Sequence, residues 1–138
     1  MALICDTGPL LAALDRDDPD HQSCADLIRG TTEDLIVPGL VLAELDYWCS
    51  TLDLRDAWLL FLDDVDAGAW RVAWPLDRDL RRARELEDQC ADLGLGVVDA
   101  SIIALAERLG EDKIASLDRR HFGAVRPAHV PAFLLLPD

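Results

Sequence analysis

Basic residues are scarce in this chain. Thirteen Lys and Arg face 27 Asp and Glu across 138 residues, a formal net charge of -14, and Lys113 is the single lysine. That balance argues against a general nucleic-acid coat, because a polyanion is repelled at long range, although screening confines the repulsion to about 8 Å at physiological salt. Handling a polyanion therefore requires local cations, supplied by metal ions or by Arg-rich segments. Long apolar runs are missing too. No stretch approaches the roughly 18 residues that span a bilayer, and the N-terminus has no basic region, long apolar core or cleavage site, so a soluble, cytoplasmic protein is expected. The four cysteines, Cys5, Cys24, Cys49 and Cys90, contain no CxxC pair. Thiol burial outranks zinc or disulfide chemistry at such spacing. His21 and His129 stand in loop-like contexts without a spaced partner, and His121, beside Phe122, reads as structural. No internal repeat or low-complexity segment appears.

What is present is a chain with 51% hydrophobic residues, the size of one domain over residues 1–138 and able to bury a core without disulfides. Gly and Pro punctuate it at the rhythm of alternating strands and helices. Strands are expected at residues 3–6, 35–37, 70–74, 113–117 and 133–136. Helices are expected from Pro9 to Leu14, from an Asp18-Pro19 start to Gly30, from Leu40 to Leu52, from Leu54 to Ala67 and from Val98 to Leu109. Leu76, Leu80, Ala83, Leu86, Cys90 and Leu93 form one apolar stripe, with Arg78, Arg81, Arg82, Glu85 and Asp88 opposite, so a long amphipathic helix is expected there. Strands separated by helices predict an α/β three-layer sandwich with a central, mainly parallel sheet and helices on both faces. In such sheets the binding crevice lies at the C-terminal strand ends.

Four acids sit where a carboxylate is awkward. Asp6 and Asp118 follow the apolar runs 1–5 and 113–117, at two expected strand ends. Glu44 flanks the apolar stripe Val41, Leu45, Trp48 and Leu52, whereas Asp46 and Asp53 project away from it. Asp99 falls between Ile103 and Ala106 in helical projection, inside the stripe that also holds Ile102 and Leu109. Each has a bland alternative: a turn at Asp6-Thr7-Gly8, a snorkelling stem at Glu44, a dipole-favoured acid at Asp99, a cap on residues 119–122 at Asp118. Together they are harder to dismiss. Carboxylates about 4 Å apart repel by about 4 kcal/mol per pair at an effective dielectric near 20, and a shared divalent cation reverses that cost. All-oxygen ligands suit Mg²⁺ or Mn²⁺, and the matching reaction is metal-assisted phosphodiester hydrolysis.

The residues Ile4-Cys5-Asp6-Thr7, Pro38 with Glu44 six residues later, Val98-Asp99-Ala100 with Ile102 and Ala104, and Ala115-Ser116-Leu117-Asp118-Arg119-Arg120-His121-Phe122 resemble the PIN-domain ribonucleases, and among them the VapC-type toxins of toxin-antitoxin pairs. The likeness spans essentially the whole chain. It implies that Asp6, Glu44, Asp99 and Asp118 match the family's metal-binding acids, and Thr7 and Ser116 its hydroxyl positions beside the site. Leu117 stands where some members carry a further acid, so a second metal site is not implied in full. The resemblance also implies a cytosolic, often dimeric endoribonuclease held inactive by an antitoxin whose tail covers the acidic pocket.

Arg119 and Arg120 are candidates for phosphate contact or for pairing with nearby acids. The cluster Arg78, Arg81, Arg82 and Arg84 reads as a solvated helix face. Trp48, Trp58, Trp70 and Trp74 all fall on apolar patterns and are expected in the core, with Trp58 and Phe61 alternatively lining a dimer or antitoxin groove. Three rivals remain. Asp-Thr-Gly also marks aspartic proteases, but those are all-β. Receiver domains place acids at strand ends but want a lysine at a late strand end, whereas Lys113 starts one. A catalytically silent PIN-like binding module is the third, and retention of all four acids argues against it.

Overall fold

Five strands pair into one sheet because the apolar, β-branched segments of this chain are each too short to be buried alone. The computed structural model describes residues 1–138. In chain order the elements are β1 (Ala2–Cys5), α1 (Thr7–Leu14), α2 (His21–Gly30), β2 (Asp34–Pro38), α3 (Gly39–Thr51), α4 (Arg55–Asp66), β3 (Arg71–Ala73), α5 (Asp77–Gln89), a 3-10 turn (Ala91–Leu93), α6 (Val97–Leu109), β4 (Lys113–Ala115), α7 (Arg119–Ala124) and β5 (Leu134–Leu136). The strand order is β3-β2-β1-β4-β5, and every pairing is parallel. The expected α/β sandwich is the observed one. β1 and β4 are buried along their apolar residues, as central parallel strands must be.

The order decides where a ligand goes. From β1 the chain steps outward to β2 and then β3, and it crosses back over the sheet to β4 and β5. Right-handed crossovers then put α1 to α4 on one face and α5 to α7 on the other. Connections leaving β1 and β4 run in opposite directions, so the crevice opens between the C-terminal ends of these two neighbours. Ile4 pairs with Ile114 and Cys5 with Ala115, and the Asp6 amide donates to the Ala115 carbonyl at 2.9 Å. This last rung fixes Asp6 at the lip of that crevice.

Several boundaries differ from the sequence expectation. Asp6 caps α1 instead of ending β1, and α1 starts at Thr7 rather than Pro9. The second helix begins at His21, because Asp18 Oδ1 accepts from the Asp20 amide and holds residues 18–20 in a turn. Strands expected at 70–74, 113–117 and 133–136 shrink to the three residues that actually find partners.

Two tryptophans correct the core expectation. Trp58 and Trp70 are buried around Phe61, whereas Trp48 is 41% exposed and Trp74 60%. Trp74 lies over the first turn of α3, where a Cβ on Gly39 would come within 2.2 Å of its ring. Glycine at 39 makes that close approach possible.

The amphipathic helix buries Ala83 and Leu86 of its expected stripe but not that stripe's N-terminal edge. Leu76 and Leu80 are exposed, while Asp79 is 3% exposed. Asp79 Oδ2 accepts from the Leu76 amide at 2.9 Å, closing a cap, and both its oxygens accept from Arg108 Nε of α6. Arg82, expected on a solvated face, instead bridges to Glu107 at 2.8 Å. These pairs clamp α5 to α6. Removing one partner of a buried pair leaves an uncompensated charge, so Arg108→Met is expected to cost about 3 kcal/mol. Urea unfolding would show it as a lower midpoint with an unchanged slope.

Candidate active site

Asp6 is 7% exposed, and it is held from both sides of the crevice. Its Oδ1 accepts from the Thr7 amide at 2.8 Å and its Oδ2 from Ser116 Oγ at 3.0 Å. The same Ser116 hydroxyl accepts from the Asp118 amide at 3.0 Å. One buried serine thus ties the end of β1 to the loop after β4. The turn alternatives were correct as local descriptions: Asp6 caps α1, and Asp118 Oδ1 caps α7 by accepting from the His121 amide at 3.0 Å.

α3 and α6 bring in the other two acids. Thr7 Oγ1 donates to Glu44 Oε1 at 2.5 Å, so the first residue of α1 orients a carboxylate from the second turn of α3. Asp99 is the third residue of α6 and half-buried. The positive end of the helix favours an anion there, and its neighbours do not. Burial pushes the Asp99 carboxyl above the ordinary range, Asp118 and Glu44 add to that, and His121 offsets part of it. Asp6 is pushed up to about 6, first by burial and then by the charges of Asp99 and Glu44, against the lowering effect of its bonds to Thr7 and Ser116. The charges of Glu44 and Asp99 thus act on Asp6, and those of Glu44 and Asp118 on Asp99.

Sequence reasoning missed His121. Its Nδ1 lies 2.9 Å from Asp99 Oδ2 and 2.7 Å from Asp118 Oδ2, and its Nε2 lies 3.0 Å from the Leu93 carbonyl oxygen. Burial works against a charged ring, but the Leu93 carbonyl, Asp118 and Asp99 outweigh it and raise the imidazole pKa. Ligand atoms of Asp99, Asp118 and His121 all fall within 4.8 Å of one another. The available signal was the i, i+3 spacing from a capping Asp to a His on the next turn.

Arg119 and Arg120 diverge. Arg119 donates to the Pro137 carbonyl at 2.5 Å, and Arg120 is exposed without an ion pair. The cysteines take no part. All four thiols are free, and burial is the main cause that pushes Cys5 up to about 12.

The donor set of Asp99, Asp118 and His121 fits a hard or borderline divalent cation. Comparison with known proteins agrees with the geometry. The family profile described as "PIN domain" matches residues 3–126. The chain belongs to the PIN-domain family. Ribonuclease VapC26 of Mycobacterium tuberculosis is 36% identical to this PIN-domain chain over 135 residues, covering 98% of this chain and 100% of the relative. Among solved structures, VapC20 of Mycobacterium tuberculosis, a sarcin-ricin loop cleaving toxin, superposes with a TM-score of 0.81 at 17% identity, covering 94% of this chain and 98% of that one. VapBC2 of Rickettsia felis, solved with a fragment of promoter DNA, gives a TM-score of 0.67 at 16% identity, covering 98% and 97%. The all-parallel sheet rules out the all-β protease, and its strand order 3-2-1-4-5 differs from the 2-1-3-4-5 order of the receiver fold.

Proposed function

We propose that this protein is a metal-dependent endoribonuclease and the toxin of a toxin-antitoxin pair, with Asp6, Glu44, Asp99 and Asp118 as its metal-binding and catalytic acids. The observation that supports this best is the linkage of the four acids at the switch point of the sheet: Ser116 ties Asp6 to the Asp118 amide, Thr7 bonds Glu44, and the charges of Glu44 and Asp118 act on Asp99. The name of the 36% identical relative supports the reaction class, and the likeness in fold to a toxin-antitoxin complex from Klebsiella pneumoniae, with a TM-score of 0.67 at 13% identity, supports the partner.

Mg²⁺ or Mn²⁺, when bound, supplies a Lewis acid for the scissile phosphate and an activated water. The chain's own residues do the rest. Ser116 holds the Asp6 carboxylate in one rotamer, Thr7 does the same for Glu44, and the α6 N-terminus favours the ionised form of Asp99. Arg120, free of acids, is assigned the phosphate contact on the RNA, while Arg119 braces the C-terminal strand through Pro137. Trp48 on α3, Leu52 just past its end, and Leu59 and Leu60 on α4 are exposed, which supports a homodimer or antitoxin surface there. No helix is long and apolar enough to cross a membrane.

The test is cleavage of total RNA with Mn²⁺ and with chelator. Cleavage that appears only with the ion supports the enzyme. RNA or protein binding with no cleavage in either condition would identify the silent binding module instead.

A further inference from the structure

A histidine set among metal-binding acids need not be only a hydrogen-bonding prop. The Leu93 carbonyl can only accept, so His121 Nε2, 3.0 Å away, carries a proton. With Nε2 engaged there, Nδ1 faces Asp99 Oδ2 and Asp118 Oδ2, and a bound ion would take the place of its proton. Histidines that ligate metals characteristically donate their other ring N–H to a carbonyl or carboxylate, which fixes the ring and raises its basicity. Here the 3-10 turn preceding α6 provides the carbonyl, and the adjoining helix provides Asp99. The ring is also anchored through its backbone, because Asp118 caps the His121 amide and the next side chain, Phe122, is 1% exposed.

The distances suit ligation. Adjacent ligands of an octahedral ion with bonds of about 2.1 Å are separated by about 3.0 Å. His121 Nδ1 stands 2.9 and 2.7 Å from the two carboxylate oxygens. We propose that His121 Nδ1 is a further protein ligand beside Asp99 and Asp118, giving this chain a mixed nitrogen and oxygen site that selects a first-row transition ion over magnesium. An imidazole suits transition ions, whereas Mg²⁺ favours oxygen donors and keeps its waters. This inference rests on the metal-dependent nuclease reading, and its preferred ion is Mn²⁺ over Mg²⁺.

Mn²⁺ is the probe, read by pulsed electron paramagnetic resonance, which detects nitrogen bound directly to the ion. The wild-type protein is expected to show imidazole nitrogen coupling. His121→Gln is expected to lose it, to bind Mn²⁺ about tenfold more weakly, and to lose about tenfold of its preference for Mn²⁺ over Mg²⁺ in competition. The chain has three histidines, so a His21→Gln, His129→Gln variant leaves His121 as the only possible source and must keep the signal; it decides the matter even where His121→Gln fails to fold. Mn²⁺ bound without nitrogen coupling overturns the ligand assignment and leaves the nuclease reading standing. A wild-type protein that binds no Mn²⁺ at millimolar concentration overturns both.

Discussion

Asp99→Asn is expected to lower Mn²⁺-dependent RNA cleavage by about a thousandfold, the scale seen when a single electrostatic group is removed from an active site. The substitution is nearly isosteric. The amide oxygen of asparagine can still accept from His121, whose contact with Asp99 is the one polar bond this side chain makes, so the fold has little reason to change. What disappears is the negative charge between Glu44 and Asp118. The amide is a weak ligand for a hard cation, and neutralisation of the scissile phosphate is lost with it. Asp46→Asn is the control, since Asp46 is exposed on α3 and meets only Arg55 at 3.7 Å. Its activity should stay within about twofold, as for exposed ion pairs generally. Single-turnover rates with matched folding checks distinguish the two variants. An Asp99→Asn enzyme that keeps a tenth of wild-type activity, or an Asp46→Asn enzyme that loses as much as Asp99→Asn, would reject the assignment of the site to the inward-facing acids.

The contrast between Asp99 and Asp46 was legible in the sequence because helical projection separates them: one falls inside an apolar stripe, the other outside. The strand-end acids were legible for a related reason. Apolar runs that stop at an aspartate mark where a parallel strand gives out, and because β1 pairs with β4, Ser116 comes beside Asp6 and links it to the Asp118 amide, three residues past the end of β4. Local patterns carried less elsewhere. His121 is defined by Leu93 and Asp99, 28 and 22 residues away, and nothing in its own neighbourhood predicts either. Asp79 lies within its apolar stripe, and the partner that lets a carboxylate be buried there, Arg108, arrives from 29 residues later. Trp48 and Trp74 lie on apolar patterns yet are exposed, since periodicity gives the direction of a buried face and not its width.

Asp6→Asn is expected to stabilise the metal-free protein, and only above about pH 5. In the wild type the carboxyl is pushed from an ordinary 3.8 up to about 6, with burial the main cause and the charges of Asp99 and Glu44 adding to it. Between those two pH values the folded chain keeps a proton that the unfolded chain has released. Stability therefore falls as pH rises through this window, and the loss is complete above the folded pKa. At about 1.4 kcal/mol per pK unit, the rise from 3.8 to about 6 corresponds to a cost of about 3 kcal/mol near neutral pH. Asparagine carries no such cost. It retains an oxygen to accept from the Thr7 amide, but it changes the bond with Ser116 from acceptor to donor, which takes back about 1 kcal/mol. The net gain is about 2 kcal/mol at pH 7, or roughly 6 °C in Tm for a domain of this size, and close to zero or slightly negative at pH 4. Thermal unfolding of both proteins in chelator across that range measures it. With Mn²⁺ added the order should invert, because the ion stabilises only a folded site that retains its charge. A Tm difference between variant and wild type that stays constant from pH 4 to pH 7 would mean that neither burial nor the neighbouring acids raise the Asp6 carboxyl. The shared cation would then lose its main physical reason.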